Sequence, residues 1–217
     1  MMGDRRRQKE ICGFRHGDRR PLSFIFLCLL LSSSLFSSCQ AENEYSTWPC
    51  RFAYDNFSHQ DATLASAMDV NVPGIFCQIT ESVRGGVKYL NFKTNHNTMS
   101  SLAETEAEKR AEYILGLNNG IIVGYQNAVL DEFGRAKFVA YDVQCPNCVR
   151  QTGNTLSPNF GVSMDDKGIA TCGKCGRKYD MNNGGILQNG QKGDTGLEKY
   201  AASASEPFGH LSVFRHR

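Results

Sequence analysis

The sequence predicts a mainly β domain with one short helix, preceded by an export leader. Three observations carry this reading. Short apolar runs, some alternating with polar residues, recur between Gly, Asn and Asp turns over most of the chain. One stretch alone is rich in helix formers. Two Cys-x-x-Cys pairs mark a metal-binding subdomain spanning residues 143–180.

The elements follow in order. Residues 1–20 carry seven basic side chains against three acidic ones, and the mostly apolar run Leu22–Phe36 follows. A basic start, a short apolar core and the small residues Ser37-Ser38 describe a secretory signal over residues 1–38. The run is shorter than the ~18 apolar residues of a membrane-spanning helix. Leu35-Phe-Ser-Ser-Cys39 resembles a bacterial lipobox, with Phe36 where Leu is usual. Acyl chains on Cys39 would anchor the protein to membrane lipid without spanning it. The acidic Gln40–Glu44 that follows resembles the surface-export signal of Bacteroidetes lipoproteins; a solvated tether over 39–49 is the alternative. The expected location is the bacterial outer membrane, on its periplasmic or cell-surface side.

The domain proper is expected over 50–217. Val87–Lys93 alternates apolar and polar residues after Gly85-Gly86 and reads as a strand. Gly120–Tyr125 and Lys137–Tyr141 are two more, joined through the turn Asp131–Gly134. Ile169–Thr171 leads into the second cysteine pair, and Arg177–Asp180 leaves it toward a tight hairpin at Asn182–Gly185. Leu197–Tyr200 and His210–Phe214 close the sheet. Ser101-x-x-Glu104 has capping-box spacing ahead of an Ala-, Glu- and Lys-rich stretch, which predicts a helix over 101–115.

The net charge of +2 divides into a leader at +4 (7 − 3) and residues 39–217 at −2 (17 Lys and Arg against 19 Asp and Glu). Nothing in this balance points to nucleic acid. No nucleophile–base arrangement, phosphate-binding glycine loop or convergent carboxylate pair stands out, so the sequence favours a binding or structural protein over an enzyme.

The cysteines carry the chemistry. Cys145-Pro-Asn-Cys148 and Cys172-Gly-Lys-Cys175 are separated by 23 residues, a pattern suited to tetrahedral ligation by four thiolates. Gly173 and Gly176 leave the backbone free to turn amide N–H groups toward sulfur. A closed four-thiolate set leaves no open position on the metal, which fits a structural Zn2+ or outer-sphere electron transfer through Fe or a 2Fe–2S cluster, not hydrolysis. Disulfides among the four are the remaining reading in an oxidising compartment. Cys50 and Cys77 are left over; a disulfide between them would close a loop of about 27 residues and stabilise by roughly 3 kcal/mol. Lys174, Arg177 and Lys178 form a basic patch that would suit an acidic redox or surface protein partner, or simply a solvated hairpin.

The runs Tyr141–Cys148 and Thr171–Gly185 resemble a Rieske domain, over roughly residues 118–214. The resemblance implies antiparallel sheets with the metal held between two loops. Cys145 and Cys172 fall on the family's cysteine ligands, while Asn147 and Cys175 fall where its two histidines belong. Gly176, Tyr179, Asp180 and Gly184-Gly185 match the rest of the second loop. Two imidazoles on one iron are what raise a Rieske potential, and neither loop here contains a histidine. The all-cysteine set shifts the expectation toward a zinc-ribbon or rubredoxin-like site on that scaffold. Residues 39–217 also resemble a group of exported Bacteroidetes lipoproteins of this Rieske-like kind.

Overall fold

The computed structural model describes residues 44–155 and 157–216. The predicted leader and Cys39 lie outside the described residues.

Among the described residues, twelve strands form two antiparallel sheets. The larger contains β1 (Arg51–Asp55), β2 (Phe76–Arg84), β3 (Val87–Thr94), β4 (Met99–Ala103), β5 (Ile121–Leu130), β6 (Ala136–Asp142), β11 (Lys199–Ala204) and β12 (His210–Phe214). Its order is β1-β12-β11-β6-β5-β2-β3-β4, and it is curled. The smaller contains β7 (Val162–Met164), β8 (Ile169–Cys172), β9 (Lys178–Asp180) and β10 (Ile186–Leu187), in the order β10-β9-β8-β7. Among the described residues there are four short helices where one was predicted: α1 (Asn56–His59), α2 (Ala62–Ala67), α3 (Glu106–Ala111) and α4 (Pro146–Thr152). Asp55 and Asp61 cap the first two by accepting from the N–H groups of Phe57 and Leu64.

The central strands are buried on both faces, which is why they read as continuous apolar runs. Ile121 and Val123 face one core with Cys77, Ile79 and Ala140, whereas Ile122, between them, faces a second core with Phe76, Val139 and Tyr141. The first core lies inside the curl under α2; the second lies between the two sheets and contains the cysteine site. Side chains of successive strand residues point to opposite faces, so β2, β5 and β6 serve both cores at once. Gly124 sits where β5 passes closest to β2: a Cβ there would run into the Ile75 carbonyl and the Phe76 ring. Residues 44–49 lie against the large sheet, with Ser46 buried and Trp48 packed against both cores.

Two expectations are corrected and a third is met. The helix predicted over 101–115 is confined to Glu106–Ala111, and its capping box is Thr105-x-x-Glu108, with Glu108 Oε2 accepting from Thr105 N–H at 2.7 Å. Ser101 and Leu102 belong to β4 instead. Glu104 ends that strand with its side chain buried, and burial, with Glu81 beside it, raises its pKa. The hairpin expected at Asn182–Gly185 forms: β9 pairs antiparallel with β10, and the connection is a 3-10 turn at Met181–Asn183 followed by Gly184 and Gly185 at positive φ. Cys50 and Cys77 are free buried thiols, not a disulfide. Cys50 precedes β1, at one edge of the sheet, whereas Cys77 lies on β2, and β12, β11, β6 and β5 come between these strands. The Sγ of Cys50 is directed instead to the Val213 carbonyl at 3.9 Å. Burial raises both thiol pKa values, that of Cys50 to about 12.

A buried carboxyl sits at the end of β6, between the two cores. Asp142 accepts from Tyr200 Oη and Leu117 N–H at 2.6 Å each on one oxygen, and from Gln144 N–H at 2.6 Å on the other. Burial outweighs these donors and pushes its pKa up to about 6, against an ordinary 3.8. Between those values the folded protein holds a proton that the unfolded chain has released, so rising pH favours unfolding. A shift of about two units corresponds to roughly 3 kcal/mol lost between pH 4 and pH 7. Asp142→Asn mimics the protonated acid and is expected to remove this slope. The check is the difference in denaturant midpoint between wild type and variant as a function of pH; a difference that does not change with pH would show that Asp142 is ionised throughout.

Candidate metal centre

Four cysteines converge in the second core. Cys145 is the N-cap of α4, with Pro146 at the first helical position, where a missing N–H costs nothing. Cys148 lies in the first turn of that helix. Cys172 ends β8, and Cys175 sits in the turn before β9. Gly176, at φ +70°, closes that turn by donating its N–H to the Cys172 carbonyl at 2.9 Å. Gly173 does not use a positive φ, so only one of the two glycines of this knuckle is required for its backbone geometry.

The four Sγ atoms all lie within 4.8 Å of one another. Cys145 and Cys175 are 3.7 Å apart, and Cys148 and Cys172 are 3.8 Å apart. A tetrahedron with metal–sulfur bonds of about 2.3 Å has sulfur–sulfur edges of about 3.8 Å. Disulfide sulfurs would be about 2.05 Å apart, so these are four separate thiols in a cage of the size that one ion requires. Cys145, Cys148 and Cys172 are buried, and Cys175 is half-buried.

The electrostatics differ between the four thiols. Burial pushes the Cys148 thiol up and the Cys172 thiol to about 11. Burial also acts to raise Cys175, but the backbone N–H and guanidinium of Arg177, followed by the neighbouring cysteines, outweigh it and bring the thiol down to about 7. The backbone N–H groups of Cys175 and Lys174 face the Cys172 sulfur and favour its thiolate. Such donors offset the charge of a four-thiolate set and orient its ligands.

A polar layer locks the cage from outside. Tyr179 Oη lies 3.0 Å from Cys145 Sγ and accepts from Asn147 Nδ2 at 3.0 Å. Asn147 also donates to the Thr195 carbonyl and accepts from Thr195 N–H, at 2.8 and 3.0 Å. Asn147 therefore faces Tyr179 and Thr195, and Cys148 completes the cage. Arg177 makes a two-bond ion pair with Asp194, at 2.8 and 2.9 Å, with the two side chains only 12% and 11% exposed. Of the predicted basic patch, Arg177 is thus committed to an internal pair that fastens the loop over Cys175. Asn147 and Asp194 are the site residues whose roles the sequence reading missed. The sole local signal for Asn147 was its place between two ligands, and Asp194, 17 residues from Arg177, carried none.

No protein-family model, no curated protein and no solved structure matches the chain. Among the described residues, no helix is long and apolar enough to cross a membrane.

Proposed function

We propose that this protein is an exported lipoprotein of the bacterial outer membrane, anchored through acylated Cys39, in which Cys145, Cys148, Cys172 and Cys175 hold one structural Zn2+. The observation that carries the metal assignment is the four-sulfur cage, whose edges of 3.7 and 3.8 Å suit a single tetrahedral ion. Zinc has no redox chemistry, and a closed thiolate set offers substrate no open coordination position. Its work here is mechanical: it fastens the start of α4 to the β8–β9 turn and so holds the small sheet to the large one. The Rieske-like scaffold is the architecture in which we read this staple.

A second reading, electron transfer by Fe at the same cysteines, draws on Cys175, the one ligand that is half-exposed. A 2Fe–2S cluster is less well supported, because two bridged irons hold their cysteine pairs farther apart than this cage allows.

Elemental analysis with a visible spectrum of the purified protein tests the metal. One zinc per chain and a colourless solution are expected; one iron per chain with strong visible absorption would overturn structural zinc. Membrane fractionation tests the anchor. Cys39→Ala is expected to move the protein to the soluble fraction, and unchanged membrane association would overturn the lipid assignment.

A further inference from the structure

The face of β2 that supplies Phe76 to the second core continues with Gln78 and Thr80, since every second residue of a strand shares a face. There the apolar packing gives way to a polar cleft of about 630 Å³. β2 bounds it on one side and the small sheet, through Val162 and Gly173, on another; Asn118 and Gln144 also line it. Gln144 immediately precedes Cys145 and Gly173 immediately follows Cys172, so the two knuckles that gather the sulfurs also set this lining. Gly173 is demanded by neither backbone nor packing: its φ is not positive, and a Cβ there would meet nothing within 4 Å. Its missing side chain keeps the cleft open.

Gln144 is 3% exposed and lines this cleft, yet its side-chain Oε1 has no hydrogen-bond partner. A buried amide oxygen left unpaired costs the fold free energy. Among the described residues, the side chains of Gln78, Thr80 and Asn118 are likewise unbonded. Main-chain groups around them are committed instead. Val162 N–H donates to the Val143 carbonyl at 2.9 Å, and Gln144 N–H to Asp142 at 2.6 Å. The Asn119 side chain holds both the N–H and the C=O of Glu81, at 3.0 and 2.8 Å. Glu81, the charged residue that lines the cleft, is paired with Lys88 at 3.1 Å.

We propose that this cleft binds a neutral saccharide. Sugar hydroxyls donate and accept together, and a set of free amides and a hydroxyl with no free charge matches that chemistry. Rotating the Gln144 amide about its last torsion exchanges Oε1 with Nε2, so either can meet a hydroxyl entering the cleft. Val143 and Val162 add apolar contact for the C–H groups of a sugar ring. The same lining disfavours other small ligands. An amino acid or a phosphate ester needs an unpaired charge, and the charge here is paired. A nucleobase needs an aromatic ring to stack on, and the residues lining the cleft include none. A peptide strand needs open main-chain groups, and those here are taken.

Saturation-transfer NMR of the full-length protein tests this, with methyl glucoside, methyl galactoside, methyl mannoside, N-acetylglucosamine, maltose and cellobiose as probes. Calorimetric titration follows for each sugar that responds. At least one is expected to bind with a Kd of about 1 mM or tighter. Gln144→Leu is expected to weaken that binding about tenfold or more, while its melting temperature stays level or rises, because it removes an oxygen that the fold leaves unpaired. Gln78→Leu, at a half-buried position whose side chain makes no bond, provides the same readout should the first variant fail to fold. Absence of any sugar binding below about 10 mM would overturn the proposal. So would binding that both variants leave intact, or a loss of binding matched in both by a fall in melting temperature. Preferential binding of uridine or trialanine at the same residues would overturn the saccharide assignment.

Discussion

Cys148→Ala is expected to abolish stoichiometric metal binding and to lower the melting temperature by roughly 6–12 °C. Cys148 is buried in the first turn of α4 and closes one edge of the sulfur cage against Cys172. Without it three thiols remain in a core where burial opposes the charged form of Cys172. Apparent binding energies of structural zinc in small finger peptides reach about 10–16 kcal/mol, because those peptides have no fold without the ion. Here the first core, with Phe52, Leu64, Phe92 and Val213, contains none of the four cysteines of the cage, so the loss is limited to the attachment of the small sheet. A loss of about 3 kcal/mol, at 2–4 °C per kcal/mol for a chain of this size, gives the stated shift. Wild type stripped by a chelator should melt with the variant. If Cys148→Ala kept both its metal and its melting temperature, the cage would not be a metal site.

The convergence of the four cysteines was legible because a knuckle is local: each Cys-x-x-Cys pair places two sulfurs on one turn, and only one long-range contact then has to form. The strands β3, β5, β6 and β12 were legible for a similar reason, since period-two patterning and turn residues are properties of short windows. The misreadings come from competition between local signals or from topology. Ser101-x-x-Glu104 and Thr105-x-x-Glu108 are consecutive capping patterns four residues apart. The choice between them is made by burial of Glu104 against the sheet, which no window contains. The disulfide expected between Cys50 and Cys77 failed because sequence spacing says nothing about sheet order, and four strands separate β1 from β2. β1 itself had a clear signal, Phe52 and Tyr54 inward between Arg51, Ala53 and Asp55, and was passed over. The Arg177–Asp194 pair and the role of Asn147 depend on a loop folding back over the site.

Phe76→Ala is expected to cost about 3–5 kcal/mol, or roughly 6–20 °C in melting temperature, while leaving the metal stoichiometry unchanged. Phe76 is fully buried on β2 and faces the second core, whereas the next residue, Cys77, faces the first. Its ring lies against the backbone of Gly168 in the turn before β8, and against Gly124 on the neighbouring strand. Removing it leaves a cavity at the junction between the sheets without touching a ligand, so attachment weakens while the cage remains. Val83→Ala, on the same strand but with the side chain 62% exposed, should change stability by no more than about 0.5 kcal/mol. Because β2, β5 and β6 line both cores, Phe76→Ala should still unfold in one transition seen alike by far-ultraviolet circular dichroism and by metal release. Two separated transitions, with metal released first, would mean that the small sheet and its ion form an independent unit resting on the large sheet. A single transition at lower temperature means instead that the three shared strands couple the metal staple to the whole fold.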